Sequence, residues 1–110
     1  MRSFLPAILL LLSPQLALAQ GAGAVDRGIK VYAAERCATC HSVAGKGNPK
    51  GPLDGVGSKL TADEIRAWIV NAPEMTAKTK AERRPFMRAY PNLEKPDLDA
   101  LVAYMQSLKK

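Results

Sequence analysis

Cys37-Ala38-Thr39-Cys40-His41 places two thiols three positions apart and an imidazole directly after the second. If the chain turns helically here, residues i and i+3 fall on one side, so both sulfurs can reach one edge of a flat ligand. This is the attachment pattern for a c-type haem, with two thioether bonds to the vinyl groups of one porphyrin edge and the histidine beneath the ring. A neutral imidazole nitrogen is a good ligand for iron. Two rival chemistries use similar spacing. A zinc site needs about four nitrogen or sulfur ligands, and the chain has two cysteines and one histidine in all. A redox dithiol would sit near alternating strands and helices, and no strand pattern is found along the chain. A plain Cys37–Cys40 disulfide is the remaining structural reading.

Because His41 is the only histidine, a second histidine ligand from the same chain is excluded. Methionine, lysine, an open site or an exogenous ligand remain for the other face of the iron. Met75, Met87 and Met105 follow the motif. Met105 falls on the apolar stripe of the last predicted helix, where methionine commonly fills core gaps. Met75 lies beside Pro73 on an expected helical turn. Met87 is the best placed. Pro85 and Pro91 bracket it and favour an extended segment over a helix. It lies 46 residues after His41, enough chain to pass round to the other face. A thioether there would stabilise ferrous iron and raise its reduction potential relative to two nitrogen ligands. The candidate metal ligands are therefore His41 and Met87, with Met75 or an open site as alternatives.

The elements that must position these residues begin after an expected export signal. Arg2, the apolar run Phe4 to Leu12 and the small-x-small triplet Ala17-Leu18-Ala19 form a secretory signal peptide, residues 1–19, with cleavage after Ala19. The apolar run is shorter than the ~20 residues of a membrane-spanning helix. Gln20 to Ala24 reads as a flexible small-residue linker, and residues 25–110 as one small domain. Cleavage leaves 91 residues with fifteen Lys and Arg against ten Asp and Glu, a net charge of +5. A core of this size needs a staple, and a covalently held porphyrin would supply apolar surface that two Phe and one Trp do not. Without it, weak folding or none is expected. The basic balance does not point to nucleic acid, because aromatic residues are sparse and no binding motif is present. An acidic protein partner or an anionic membrane surface fits better.

The mature pattern is helical. Asp26 is placed to cap a helix through Gly28, Ile29 and Tyr32. Gly28 and Tyr32 share a face, and the glycine would let another helix approach closely. From Ser42 to Ser58, seven glycines and prolines predict a loop with no regular element, able to wrap a cofactor edge. Thr61 to Glu64 forms a capping box, with Leu60 and Ile65 as its hydrophobic staple. Ile65, Trp68 and Ile69 then share one face. Lys78, Lys80, Arg83 and Arg84 read as a solvated face on a short helix or turn. Leu98, Leu101, Val102, Met105 and Leu108 form the stripe of an amphipathic last helix, with Pro96 in its first turn.

Taken together, these residues resemble a bacterial class I cytochrome c, a monohaem periplasmic electron carrier, over nearly the whole mature sequence. Gly28 and Tyr32 resemble the family's first-helix glycine and aromatic, and Leu101 with Tyr104 the last-helix pair they cross. The resemblance implies an all-α fold of about three to five helices around one haem c held covalently through Cys37 and Cys40. Gly51-Pro52-Leu53 is similar to the loop whose proline carbonyl receives the proximal histidine N–H, which makes Pro52 a cofactor-binding residue. Trp68, a core residue by its spacing, gains by the same resemblance an indole hydrogen bond to a haem propionate. Met87-Arg88-Ala89-Tyr90 is similar to the family's Met-Pro-x-aromatic segment, except that Arg88 stands where proline is usual. That substitution removes a backbone restraint and adds a positive charge.

The function so implied is single-electron transport between periplasmic or membrane redox enzymes by a monomeric protein with no enzyme activity, since no acid–base pair or nucleophile constellation appears. Lys46, Lys50, Lys78, Lys80, Arg83, Arg84 and Arg88 would steer redox partners with acidic docking surfaces, with transient contact to membrane enzymes. Two alternatives stand beside it. One is a haem subunit docked in a larger oxidoreductase. The other is a gas-binding or weakly peroxidatic haem protein with a labile methionine.

Overall fold

The structure, a computed structural model, describes residues 15–110, with side chains from Gly21 onward. The basic and apolar parts of the expected export signal lie outside the described residues, and its cleavage site falls where only backbone is described. Five helices account for most of the described chain. They are α1 (Gln15–Ala34), α2 (Val56–Lys59), α3 (Ala62–Val70), α4 (Ala72–Thr79) and α5 (Lys95–Ser107). A single 3-10 turn covers Cys37–Thr39, and β1 (Ser42–Val43) pairs antiparallel with β2 (Lys46–Gly47). Among the described residues the fold is therefore all-α apart from one minimal hairpin. Among the described residues, no helix is long and apolar enough to cross a membrane.

Helices α1 and α5 cross in close contact, and Gly28 is the reason they can. A Cβ at Gly28 would overlap the Ala100 carbonyl and come within 2.6 Å of the Tyr104 Cβ. One turn further on, Tyr32 and Tyr104 meet edge to face, with ring centres 5.6 Å apart, a preferred aromatic geometry. The apolar stripe on α5 is seated as its spacing predicts: Leu101, Val102 and Met105 are buried with Val31 of α1 and with Ile65 and Ile69 of α3, and Leu98 and Leu108 pack at its ends. Arg27 adds an exposed ion pair to Asp97 at 2.8 Å across the crossing. Such surface pairs contribute little.

At the start of α3 the capping box is formed in full. The Glu64 amide donates to Thr61 Oγ1 at 3.2 Å, and the Thr61 amide donates to Glu64 Oε1 at 3.0 Å. The Thr61 amide, donating to the ionised carboxylate, holds the Glu64 carboxyl below its ordinary value, and the Thr61 side chain adds to the effect. Pro73 sits in the first turn of α4, where its missing N–H costs nothing. Residues 81–94 carry no helix or strand, in keeping with the extended segment expected around Met87.

Three sequence expectations are corrected. Residues 20–24 are not a linker but part of α1. They contain no proline and extend a helix anchored by the crossing, and extending a helix is far less costly than starting one. Asp26 consequently lies inside α1 and caps nothing. Ser42 to Ser58 is not free of regular structure, since β1 and β2 lie within it and α2 begins there. Its glycines set the reversals, including a hairpin turn at Ala44 and Gly45 with φ of 51° and 79°, while two paired residues per strand suffice between them. The turn is held by the Asp54 carboxylate, which accepts the Ala44 amide at 2.8 Å.

The crossing yields the first prediction. Gly28→Val forces two β-branched methyls against the α5 backbone, and its haem-loaded form should unfold well below wild type in a thermal scan. Gly23→Ala meets nothing within 4 Å and should leave the transition within a few degrees, about what ~0.5 kcal/mol changes in a domain of this size.

Candidate functional site

The paired cysteines sit on the 3-10 turn that follows α1. Arg36, with φ of 56°, breaks the helix, and the Cys40 amide donates to the Cys37 carbonyl at 3.1 Å. In a 3-10 turn residues i and i+3 eclipse, so Cys37 and Cys40 share one side. Both are free thiols, Cys37 partly buried and Cys40 exposed. Burial pushes the Cys37 thiol up to about 11, and the neighbouring Glu35 carboxylate adds to the shift. Such a thiol is almost wholly protonated at neutral pH, which does not suit the low-pKa nucleophile of a redox dithiol.

His41 leaves the turn directed by the loop that follows. Its Nδ1 lies 3.0 Å from the Gly51 carbonyl oxygen. A carbonyl only accepts, so the hydrogen is on Nδ1 and the lone pair is on Nε2. Burial holds the imidazole below its ordinary value; the Gly51 carbonyl opposes this and the Arg83 guanidinium reinforces it. The ring is thus neutral at pH 7, with one nitrogen fixed and the other able to bind a metal. The loop also secures the backbone on either side. The Asn48 amide donates to the His41 carbonyl at 2.8 Å, and its side chain donates to Thr39 O at 3.2 Å.

Beside this turn lies an apolar cavity of about 290 Å³. Cys37 and His41 line one part of it, Ile65, Trp68 and Ile69 of α3 another, and Leu101 and Met105 of α5 a third. The irregular segment after α4 closes it with Phe86, Met87 and Tyr90. Of the site residues expected from sequence, Cys37, His41, Trp68 and Met87 therefore meet at one cavity, and Met105, expected to be a core residue, lines it too. Cys40 and Pro52 do not line it, and neither does Met75.

A sequence model of the cytochrome c family matches residues 25–109, nearly all of the chain after its first 24 residues. The chain belongs to the cytochrome c family. Cytochrome c oxidase subunit 2 of Alkalihalophilus pseudofirmus is 28% identical to it over 93 residues, covering 76% of this chain and 25% of that protein. The chain thus spans about a quarter of that relative's length. No solved structure matches it.

As a cytochrome c, the chain takes a haem with its iron covalently through Cys37 and Cys40, and the site fits that group. The walls are apolar, the thiol at the wall is protonated, and the one imidazole presents a free nitrogen. The Tyr32 hydroxyl on the same wall is buried with no hydrogen-bond partner among the described residues, and burial pushes it up to about 12.

The expected acceptor for the His41 ring is off by one residue. It is Gly51, not Pro52. Pro52 forms a parallel bridge to Ser42 in which the bonds fall on its neighbours: the Ser42 amide donates to Gly51 O at 3.0 Å and the Leu53 amide to Ser42 O at 2.8 Å. Successive carbonyls in an extended segment point to opposite sides, so the Gly51 carbonyl faces the motif and exposed Pro52 does not supply the bond. Sequence reasoning also missed Asn48 and Arg83. The Arg83 Nη2 donates to the Cys40 carbonyl at 2.5 Å, although its local sequence reads only as a charge run. Arg88, where the family usually has proline, lies over the Tyr90 ring at 5.3 Å and donates from Nε to its hydroxyl at 3.2 Å.

The corrected acceptor is testable. A Cβ at Gly51 would overlap the Cys40 carbonyl and come within 2.6 Å of Arg83 Nη1. Gly51→Ala should lower the thermal midpoint of the haem-loaded protein by roughly 5 °C or more, as overpacking by ~1–3 kcal/mol does in a domain this small. Pro52→Ala keeps the Gly51 carbonyl and should shift it less.

Proposed function

We propose that this cytochrome c is a periplasmic carrier of single electrons, with His41 and Met87 as the residues that would hold its haem iron. The observation that carries the reading is that His41 and Met87 line the same apolar cavity, while Met75 lies off it and Met105, which also lines it, is buried at 6% exposure in the helical core. The bound haem supplies a one-electron ferric–ferrous couple. The chain's own residues keep that couple simple. Gly51 fixes the ring of His41, so its Nε2 keeps one direction in both oxidation states. Ile65, Ile69 and Leu101 keep water off the site, and a thioether at Met87 favours the reduced form. Two ligands held in place leave no position for a substrate, which supports a carrier and not an enzyme.

Export to the periplasm is inferred from the signal read at residues 1–19, and oxidising compartments suit a chain whose only two cysteines are committed to a cofactor. The partner is a redox protein with an acidic docking surface. Lys46, Lys50, Lys78 and Lys80 are exposed and would steer it by long-range attraction. The likeness to an oxidase subunit favours a second reading, in which the chain serves as the haem-bearing part of a larger oxidoreductase.

Absorption spectra of the haem-loaded protein and of Met87→Leu test the ligand. Wild type should be low-spin with a weak long-wavelength sulfur-to-iron band in the ferric state, and Met87→Leu should lose that band. Survival of the band in the variant would reassign the ligand. Stopped-flow transfer to an acidic redox protein tests the role. The rate should fall roughly tenfold from ~10 mM to ~0.5 M salt as screening shortens the reach of the lysines. A permanently docked subunit takes its electrons within its complex, and a rate flat in salt favours that reading.

A further inference from the structure

The segment that carries Met87 is held at two distant points. The Ala81 amide donates to Thr76 O at 3.1 Å, and the next backbone bond is from the Tyr90 amide to Ile69 O at 2.8 Å. Between them, residues 82–89 make no backbone hydrogen bond to any described residue. Two arginines stack on rings of the segment itself, Arg84 over Phe86 at 4.2 Å and Arg88 over Tyr90. Among the described residues, Arg83 alone of these side chains bonds to another element. It reaches across 43 positions of sequence to the Cys40 carbonyl.

The target of that bond is well chosen. The Cys40 carbonyl lies just past the end of the 3-10 turn, where carbonyls lack a partner within the turn and carry partial negative charge. A guanidinium is planar, permanently charged and rich in donors, so it can serve such an oxygen while lying flat against backbone. It lies against Gly51, the residue whose carbonyl holds the His41 ring. Arg83 also lines the cavity together with Met87, four residues further along.

We propose that Arg83 is a positioning residue for Met87: by tying the distal segment to the Cys40 carbonyl, it holds the methionine at the cavity and couples the two sides of the haem site through one side chain. This rests on the reading of Met87 as the iron ligand. The physical basis is chain entropy. A segment fixed only at Ala81 and Tyr90 samples many arrangements that carry Met87 away from the site, and a third fixed point removes most of them. A charge-assisted bond is strong for its kind. Exposure to water places this one at the low end of that range, so its loss should be worth about a factor of ten in the ligand equilibrium.

The test is titration of the ferric, haem-loaded full chain with imidazole, followed by absorption, because imidazole competes with the thioether for iron. Arg83→Ala should bind imidazole about tenfold more tightly than wild type. Lys78→Ala, which removes an exposed charge with no such bond, should bind as wild type does. In the Met87→Leu background, adding Arg83→Ala should change the affinity little, since there is no thioether left to position. Wild-type affinity in Arg83→Ala, an equal rise in Lys78→Ala, or a tenfold effect that persists without Met87 would each overturn the proposal. If Met87→Leu itself keeps the sulfur-to-iron band, the underlying ligand assignment fails instead. Arg83→Gln carries the same comparison should the alanine variant not load haem.

Discussion

Two donors converge on the carbonyl oxygen of Gly51: the His41 ring and the Ser42 amide, each at 3.0 Å. A carbonyl has two lone pairs, so both bonds can be made at once. Everything that directs the imidazole depends on this oxygen being where it is. The helices bring the motif to the cavity, but the ring is aimed by the loop that closes back on it. The Asn48 amide, the hairpin turn held by Asp54 and the Leu53 bond to Ser42 keep that loop closed. Were the loop open, Nδ1 would exchange with water and the free nitrogen would lose its direction. The proximal side of the site is therefore a loop property before it is a helix property.

The core and the cofactor site are largely the same surface. Eight apolar side chains are buried among the described residues, and four of them, Ile65, Ile69, Leu101 and Met105, also line the cavity. The helices thus pack against each other along one side, at Gly28 and Tyr104, and face a shared space on the other. A flat apolar group filling that space completes the contacts these side chains would otherwise lack, so its binding free energy adds directly to stability. The covalent link through two cysteines keeps that contribution from being lost by dissociation.

What could be read from the sequence was local in origin. The stripe on α5 is a period, the box at Thr61 and Glu64 is a three-residue spacing, and the irregular segment around Met87 follows from prolines at either end. Gly28 was legible because a glycine inside a helix needs a reason, and close approach is the common one. What could not be read depends on partners far along the chain. The extension of α1 over residues 20–24 rests on its anchoring against α5. The choice of Gly51 over Pro52 is a matter of register, set by a bridge to Ser42 and invisible in either residue alone. The cavity placement of Trp68 followed from its shared face with Ile65 and Ile69, whereas the fixed orientation of His41 required the folded loop.

The distal segment shows why charge is hard to interpret from sequence. Seven cations read alike as steering charges, four of them as a solvated face, yet the structure gives three of the seven other work. Arg83 serves a backbone carbonyl, while Arg84 and Arg88 lie over Phe86 and Tyr90. Each keeps its full charge while its side chain is held, so the electrostatic field persists and the motion does not. Proline at position 88 would stiffen the segment by fixing φ and would carry no charge. Arginine there stiffens it through a ring contact, worth about 0.5–1 kcal/mol at an exposed site, and adds a positive charge. Rigidity and charge in this segment thus come from the same side chains. Any change that neutralises the surface near Met87 must also loosen the segment that holds it.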